Sequence, residues 1–234
     1  MARTRYHIGP GLTKTQTLLG WLYLPFFLVL NSLLLSVLAR TFHLKMTELQ
    51  RQMAYFAMNF AFVILVFHRW YLRSFRGLSR RFWPFVQTFI LGAVMYFALG
   101  RLLSLLLASL MRGGTANNQV LVSFIHQNEL LMLILTVFIA PVVEETLFRG
   151  VVFGSLHGIS RYLAYAVSGL VFALAHVLPH YGGLNLLQMA VQTLVYLVPP
   201  VALGWTYEKS GTILCPILLH AFINALAFSQ MAAF

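Results

Sequence analysis

Charged residues are scarce in this sequence. Of its 234 residues only 9% are charged, five are glutamate and none is aspartate, whereas 60% are hydrophobic. Soluble globular domains carry about 25% charged residues, so this composition excludes a water-soluble enzyme. Disorder is excluded as well, because it requires low hydrophobicity and high net charge. The single cysteine, Cys215, excludes an internal disulfide and a cysteine-rich metal site.

The hydrophobic residues form seven long runs, and a membrane-spanning helix needs about 20 such residues. The first run is too long for a cleaved signal peptide and has no small-residue cleavage site behind it, so we interpret it as the first span. The sequence thus predicts an all-α fold, a polytopic integral membrane helical bundle of about seven transmembrane helices. The runs lie at approximately 17–39, 53–68, 83–110, 130–156, 162–178, 184–207 and 212–231.

Of the 16 lysines and arginines, all but Arg101 and Arg149 lie outside these runs, and they do not form one patch. This distribution argues against nucleic acid as a partner and favours contact with anionic lipid. The segment 69–81 is predicted to be a basic loop, and 112–128 to be the longest polar connection. If the chain crosses the membrane seven times, ten cations lie on the same side of the membrane as the N-terminus. Four lie on the opposite side: Arg40, Lys45, Arg51 and Arg112.

The positive-inside rule therefore predicts a cytoplasmic N-terminus and a C-terminus on the other side. The expected location is the plasma membrane of a prokaryotic cell. The oligomeric state is left open by the sequence.

Two adjacent glutamates, Glu144 and Glu145, lie deep in the fourth run. Ionisable residues inside a span are costly to insert and are functional candidates by default. Arg149 follows Glu145 by four residues and so shares its helical face, in the favourable order of acid before base. Glu144 points about 100° away and is free to accept a proton if its face meets a wet cavity. The Glu145–Arg149 pair could equally be a buried ion pair that only stabilises the packing of helices.

Two histidines occupy similar positions. His176 ends the fifth run, and His220 lies within the seventh, four residues before Asn224 on the same helical face. A lone histidine in an apolar segment is more often a packing residue. Two histidines, an asparagine and a glutamate pair on three membrane helices together favour a functional site.

This set of side chains suits hydrolysis. A carboxylate can remove a proton from water, while imidazoles and an amide stabilise the oxyanion that forms on a cleaved amide. Glu144, His176 and His220 could instead hold Zn²⁺, which activates bound water. The His-Glu-x-x-His zinc motif is absent, so both chemistries stay open.

Three motifs resemble those of the CPBP family of intramembrane proteases, which includes type II CAAX prenyl endopeptidases and Abi, or bacteriocin self-immunity, proteins. They are Glu144-Glu145-x-x-x-Arg149, Phe172-x-x-x-His176 and His220-x-x-x-Asn224, in the family's order. The resemblance implies that Glu144 activates water and that His176, His220 and Asn224 bind water or the oxyanion. It further implies that Glu145 and Arg149 orient the site and that Phe172 packs beside it.

The resemblance divides the chain into N-terminal helices without a catalytic motif (1–120) and a protease core (121–234), together one membrane domain. The expected function is endopeptidase cleavage of a small membrane-associated peptide or protein, either metal-dependent or glutamate-dependent. The alternative is a non-catalytic scaffold or regulator that binds a partner membrane protein. A proton-coupled transporter is a third possibility, but the sequence contains no inverted repeat to support it.

Overall fold

The computed structural model describes residues 8–9, 11–76, 78, 82–110 and 115–233, and the regular structure in these ranges is entirely helical. Among them we number eight helical segments in chain order, treating consecutive helical turns without a loop as one segment. They are α1 (Lys14–Thr41), α2 (Glu48–Arg76), α3 (Phe82–Leu106), α4 (Ala116–Ile125), α5 (Glu129–His157), α6 (Arg161–Gly183), α7 (Leu186–Ser210) and α8 (Leu214–Ala232).

Every described segment except α4 is long and apolar enough to cross a membrane, which gives seven spans. Large apolar side chains cover their outer faces, as at Leu65 and Trp83, which are 73% and 70% exposed. Such surfaces suit hydrocarbon and not water. The predicted all-α polytopic bundle of about seven transmembrane helices is confirmed.

Two predicted connections differ from the structure. The apolar run 53–68 belongs to a helix that continues to Arg76, so Arg69, Arg73 and Arg76 lie on α2 and not in a loop. Arginine is a good helix former, and a helix that leaves the membrane can continue into water. The predicted polar connection 112–128 contains the helix α4, which begins after the N-cap Thr115.

The span α5 lies at the centre of the bundle. Half of its most apolar stretch is buried, a larger share than in any other described span. Close packing reaches the backbone at Gly150, where a Cβ atom would lie only 2.6 Å from the ring of Trp70 on α2. The glycine therefore lets α2 approach the helix that carries both candidate carboxylates.

Successive spans run in opposite directions and define two membrane faces. We call the face with Lys14, Arg161 and Lys209 the basic face, and the face with α4 and the C-terminal end of α8 the distal face. Five cations of the charge count, namely Arg3, Arg5, Arg80, Arg81 and Arg112, lie outside the described residues. The cytoplasmic N-terminus and the division at residue 120 stay predictions. The two parts pack together, since α3 lies against α7 and α8.

Candidate active site

A proline changes the hydrogen bonding of α5 just before the glutamate pair. Residues Ile134–Ile139 form a π-helical stretch, in which the N–H of Ala140 bonds to the carbonyl of Leu135, five residues earlier. The next carbonyl, that of Thr136, would need the N–H of residue 141 in this pattern, but Pro141 has none. Thr136 is thus left with a carbonyl inside the membrane that requires another donor.

Asn224 on α8 supplies this donor. Its Nδ2 atom lies 2.8 Å from the Thr136 carbonyl oxygen and donates a hydrogen bond to it. The bond ties α8 to α5 about two helical turns before Glu144, and it uses one of the two amide hydrogens of Asn224. The predicted role of Asn224 toward an oxyanion stays a prediction, and its observed role is to position α8.

The carboxylate of Glu145 connects two cationic or basic groups. Its Oε1 atom lies 3.0 Å from Nη1 of Arg149 and 2.8 Å from Nδ1 of His220. Glu145 and Arg149 are both fully buried. The guanidinium nitrogens of Arg149 have no hydrogen-bond partner among the described residues, so its contact with Glu145 is an ion pair without a hydrogen bond. The aromatic ring of Phe172 lies 4.7 Å below the guanidinium carbon, a favourable contact for a buried cation.

Glu145 determines which nitrogen of His220 faces the cavity. A carboxylate paired with Arg149 only accepts hydrogen bonds, so Nδ1 of His220 is the donor. The other nitrogen, Nε2, lies 4.0 Å from Oε2 of Glu144. Glu145 therefore contacts the side of His220 that faces away from Glu144 and orients its ring, as the carboxylate does in other carboxylate–histidine pairs.

His176 has the same arrangement on α6. Its Nδ1 lies 2.9 Å from the carbonyl oxygen of Phe172, which can only accept, so Nδ1 donates. Its Nε2 lies 3.7 Å from Oε2 of Glu144. The imidazole stacks on Phe172 with ring centroids 4.4 Å apart, and on Tyr196 of α7 at 4.8 Å.

Three acceptor atoms therefore converge: Oε2 of Glu144 and the Nε2 atoms of two histidines that carry their protons on Nδ1. Oε2 of Glu144 is buried and has no hydrogen-bond partner among the described residues. Such a cluster favours a species that brings protons or positive charge, because three acceptors cannot satisfy one another. Glu144, His176 and His220 are thus brought together as the sequence predicted.

The donor types of the Glu–His cluster suit zinc. Tetrahedral ligands 2.0–2.2 Å from Zn²⁺ lie about 3.3–3.6 Å apart, and the 3.7 and 4.0 Å that separate Glu144 Oε2 from the two Nε2 atoms are slightly longer. In the described ranges no group of three His, Cys, Asp or Glu side chains could hold a metal ion as arranged. Zinc at these residues stays a prediction.

The cluster lies at the inner end of a cavity of about 410 Å³. Glu144, Phe172, His176, His220 and Asn224 all line it, although they come from three helices that are distant in the sequence. Aliphatic and aromatic side chains form most of the remaining wall. This combination of an apolar wall with a few convergent polar groups is typical of a ligand or active site.

Tyr196 is a further residue of the cluster that no sequence motif indicates. Its ring packs on His176, and its hydroxyl lies 3.0 Å from Oγ1 of Thr115, the N-cap of α4. One turn earlier, Oε1 of Gln192 accepts a 3.1 Å hydrogen bond from the N–H of Ala116. A tyrosine in an apolar run is ordinary in sequence terms, so only the tertiary structure reveals that it connects α4 with the Glu–His cluster.

Tyr196 is expected to act as a positioning residue. Tyr196→Leu removes the stacking contact, worth about 0.5–1.5 kcal/mol for an aromatic pair, and should lower kcat by about 2–10-fold with a smaller change in KM. Tyr196→Phe keeps the ring and should stay close to the wild-type kcat. Tyr181→Leu is the control, because Tyr181 is 71% exposed at the end of α6. Steady-state cleavage assays distinguish these variants, and equal kcat values for Tyr196→Leu and wild type would contradict the role.

The geometry defines a class: a polytopic membrane protein with a buried, carboxylate-oriented Glu–His cluster at the end of a cavity. The family model described as type II CAAX prenyl endopeptidase Rce1-like matches residues 126–226, which include all three motifs. This match confirms the resemblance drawn from those motifs, over the part of the chain that carries them. At the level of the family this supports a CAAX-type intramembrane protease.

One curated relative is described only as an uncharacterized 24.3 kDa protein of Escherichia coli. It is 40% identical over 96 residues, which cover 39% of this chain and 41% of that protein. The alignment thus spans about two fifths of the relative's length. No solved structure matches the chain.

Proposed function

We propose that the protein is an intramembrane endopeptidase that hydrolyses a peptide bond of a membrane-associated peptide or protein through a glutamate-activated water. The observation that carries the proposal is the position of Glu144: its buried, unpartnered Oε2 faces two histidine Nε2 atoms at the inner end of a cavity. A carboxylate oxygen that no described residue engages can accept a hydrogen bond, and then a proton, from water in the cavity. This is the property that a general base for water requires.

In the proposed reaction Glu144 carries one proton from the attacking water to the leaving amine. Glu144 takes a proton from water while the water oxygen bonds to the carbon of the scissile carbonyl, which gives a tetrahedral intermediate with a negatively charged oxygen. Glu144 then returns the proton to the amide nitrogen as the C–N bond breaks. The products are a carboxylic acid and an amine, and the Glu144 carboxylate is regenerated.

The histidines can contribute in two ways. With the proton on Nδ1, each Nε2 accepts a hydrogen bond from the attacking water and so orients it. To donate to the oxyanion, an imidazole must also be protonated on Nε2. The carboxylate of Glu145 lies 2.8 Å from Nδ1 of His220 and keeps Nε2 of that imidazole turned toward the cavity in either form.

The direct test compares peptide termini in host membranes that contain the wild-type protein or Glu144→Gln at matched abundance. A defined peptide or protein that is cut only by the wild-type protein supports the proposal and identifies a substrate. Identical termini in both samples would favour the non-catalytic scaffold. Metal analysis of both purified proteins adds a second readout, because bound Zn²⁺ that is lost in Glu144→Gln would support the metal-dependent form of the reaction.

A further inference from the structure

The cavity extends from the middle of the spans toward the distal face. From Glu144, in the middle of α5, its wall continues along α5 only toward residues Ala140, Thr136 and Met132. On α3 and α8 the wall likewise extends to Ser104 and Met231, close to the distal ends of those helices. The wall thus leads from the Glu–His cluster to the distal face, while no lining residue lies near the basic face.

The mouth of the cavity is formed at the distal face. The helix α4, which does not cross the membrane, contributes Asn117, Asn118 and Leu121 to the wall, and the N-cap Thr115 is also part of it. Asn118 is exposed, so this wall reaches the outside of the bundle. The hydrogen bonds from Thr115 and Ala116 to α7 hold the start of α4 beside the mouth.

The two faces differ in charge. In the sequence, ten lysines and arginines belong to segments that adjoin the basic ends of the spans, and five adjoin or lie near the distal ends. Among the described residues the numbers are six (Lys14, Arg69, Arg73, Arg76, Arg161 and Lys209) and four (Arg40, Lys45, Arg51 and Arg101). Short segments rich in lysine and arginine stay in the cytoplasm. This asymmetry supports a distal face that is turned away from the cytoplasm.

We propose that the active-site cavity opens to the non-cytoplasmic side of the membrane and admits an uncharged segment in extended form. The orientation rests on the charges and the lining residues alone, whereas cleavage of the admitted segment rests on the proposed function. A protease so arranged acts on substrates that are exported or that expose a segment outside the cytoplasm.

The lining residues explain the restriction on charge and shape. Apart from Glu144 and the two histidines, the residues of the wall are apolar or neutral amides and hydroxyls. A charge on the substrate would lose water there without finding a partner. The cavity volume of about 410 Å³ lies at the lower end of ordinary ligand pockets of about 300–1,000 Å³. A helix is about 10–12 Å wide, so a few residues fit only when the segment is unwound.

Site-directed labelling tests the orientation. Cys215 is buried and is the sole cysteine, so Cys215→Ala provides a background for single new cysteines. Asn118→Cys reports on the mouth, Lys45→Cys on the distal face outside the cavity, and Lys209→Cys on the basic face. Right-side-out spheroplasts are treated with a membrane-impermeant maleimide, before and after permeabilisation, and abundance is compared on the same gel.

The proposal expects Asn118→Cys and Lys45→Cys to be labelled in intact spheroplasts and Lys209→Cys only after permeabilisation. The reverse pattern, or labelling of all three in intact spheroplasts, overturns the orientation. Labelling of Lys45→Cys without Asn118→Cys overturns the opening of the cavity at that face. None of these results depends on hydrolysis, so they are separate from a failure of the proposed function.

Protection from labelling tests the substrate class. Ala227→Cys places a thiol inside the cavity wall, and the added Glu144→Gln exchange prevents cleavage. A terminally blocked peptide of leucine, alanine and serine should protect this thiol from maleimide, whereas the same peptide with two glutamates should not. Equal protection by both peptides, or by neither, overturns the preference for an uncharged segment.

Discussion

Glu144→Gln is expected to lower kcat for a cleaved substrate by about 10²–10⁴-fold, the usual contribution of a general base. The amide keeps the shape of the side chain but cannot take a proton from water. Because Oε2 of Glu144 accepts no hydrogen bond from the described residues, the exchange removes no hydrogen bond that this oxygen makes between helices. Abundance and membrane insertion should therefore equal those of the wild-type protein, and cleavage assays with the purified protein measure the loss.

Glu129→Gln provides the matched control. Glu129 begins the same span as Glu144, but its side chain is exposed and does not line the cavity. This variant should cleave at the wild-type rate. Cleavage by Glu144→Gln at that rate would overturn the mechanism, and an equal loss in both variants would show that any change in the charge of α5 is damaging.

Arg149→Met is expected to destabilise the folded protein by about 3–5 kcal/mol, because removing one partner leaves the other as a buried, uncompensated charge. Both Arg149 and Glu145 are fully buried, and their closest atoms lie 3.0 Å apart. The exchange also removes the cation from the ring of Phe172. Equilibrium unfolding in detergent, followed by circular dichroism at fixed protein concentration, measures the change in free energy.

Two further variants separate charge from packing. In Arg149→Met combined with Glu145→Gln both charges are absent, and the new amide still offers an oxygen to Nδ1 of His220, so most of the lost stability should return. Arg161→Met breaks the Arg161–Glu208 ion pair, whose arginine side chain is half exposed, and should cost less than about 1 kcal/mol. Equal losses for Arg149→Met and Arg161→Met would contradict the role of the buried pair.

Much of the fold follows from the sequence because hydrocarbon imposes one strong rule on every span. Backbone groups in the membrane must be paired within the segment, so a long apolar run becomes a helix. The same rule says little about polar segments. The sequence does not predict helix α4, because Asn117, Asn118 and Gln119 are weak or ordinary helix formers and its position depends on hydrogen bonds to Gln192 and Tyr196 of a distant span.

The candidate site is predictable in composition but not in geometry. Helical periodicity correctly places Arg149 beside Glu145 and turns Glu144 away, since those relations lie within one helix. The contacts that position the side chains of the site join different helices: Glu145 with His220, Tyr196 with His176, and Asn224 with Thr136. Their distances depend on how the helices pack, and no pattern along one chain segment encodes them.

The carbonyl that Pro141 leaves without a donor has a consequence for the order of assembly. Its hydrogen bond comes from Asn224, 88 residues later, and His220 meets Glu145 across 75 residues. While the chain is being synthesised, α5 enters the membrane with this carbonyl unpaired and with Glu144 separated from one of its histidines. The span α8 therefore completes the backbone of α5 and the Glu–His cluster together, so a nascent chain that lacks α8 carries Glu144 and His176 without His220 and Asn224.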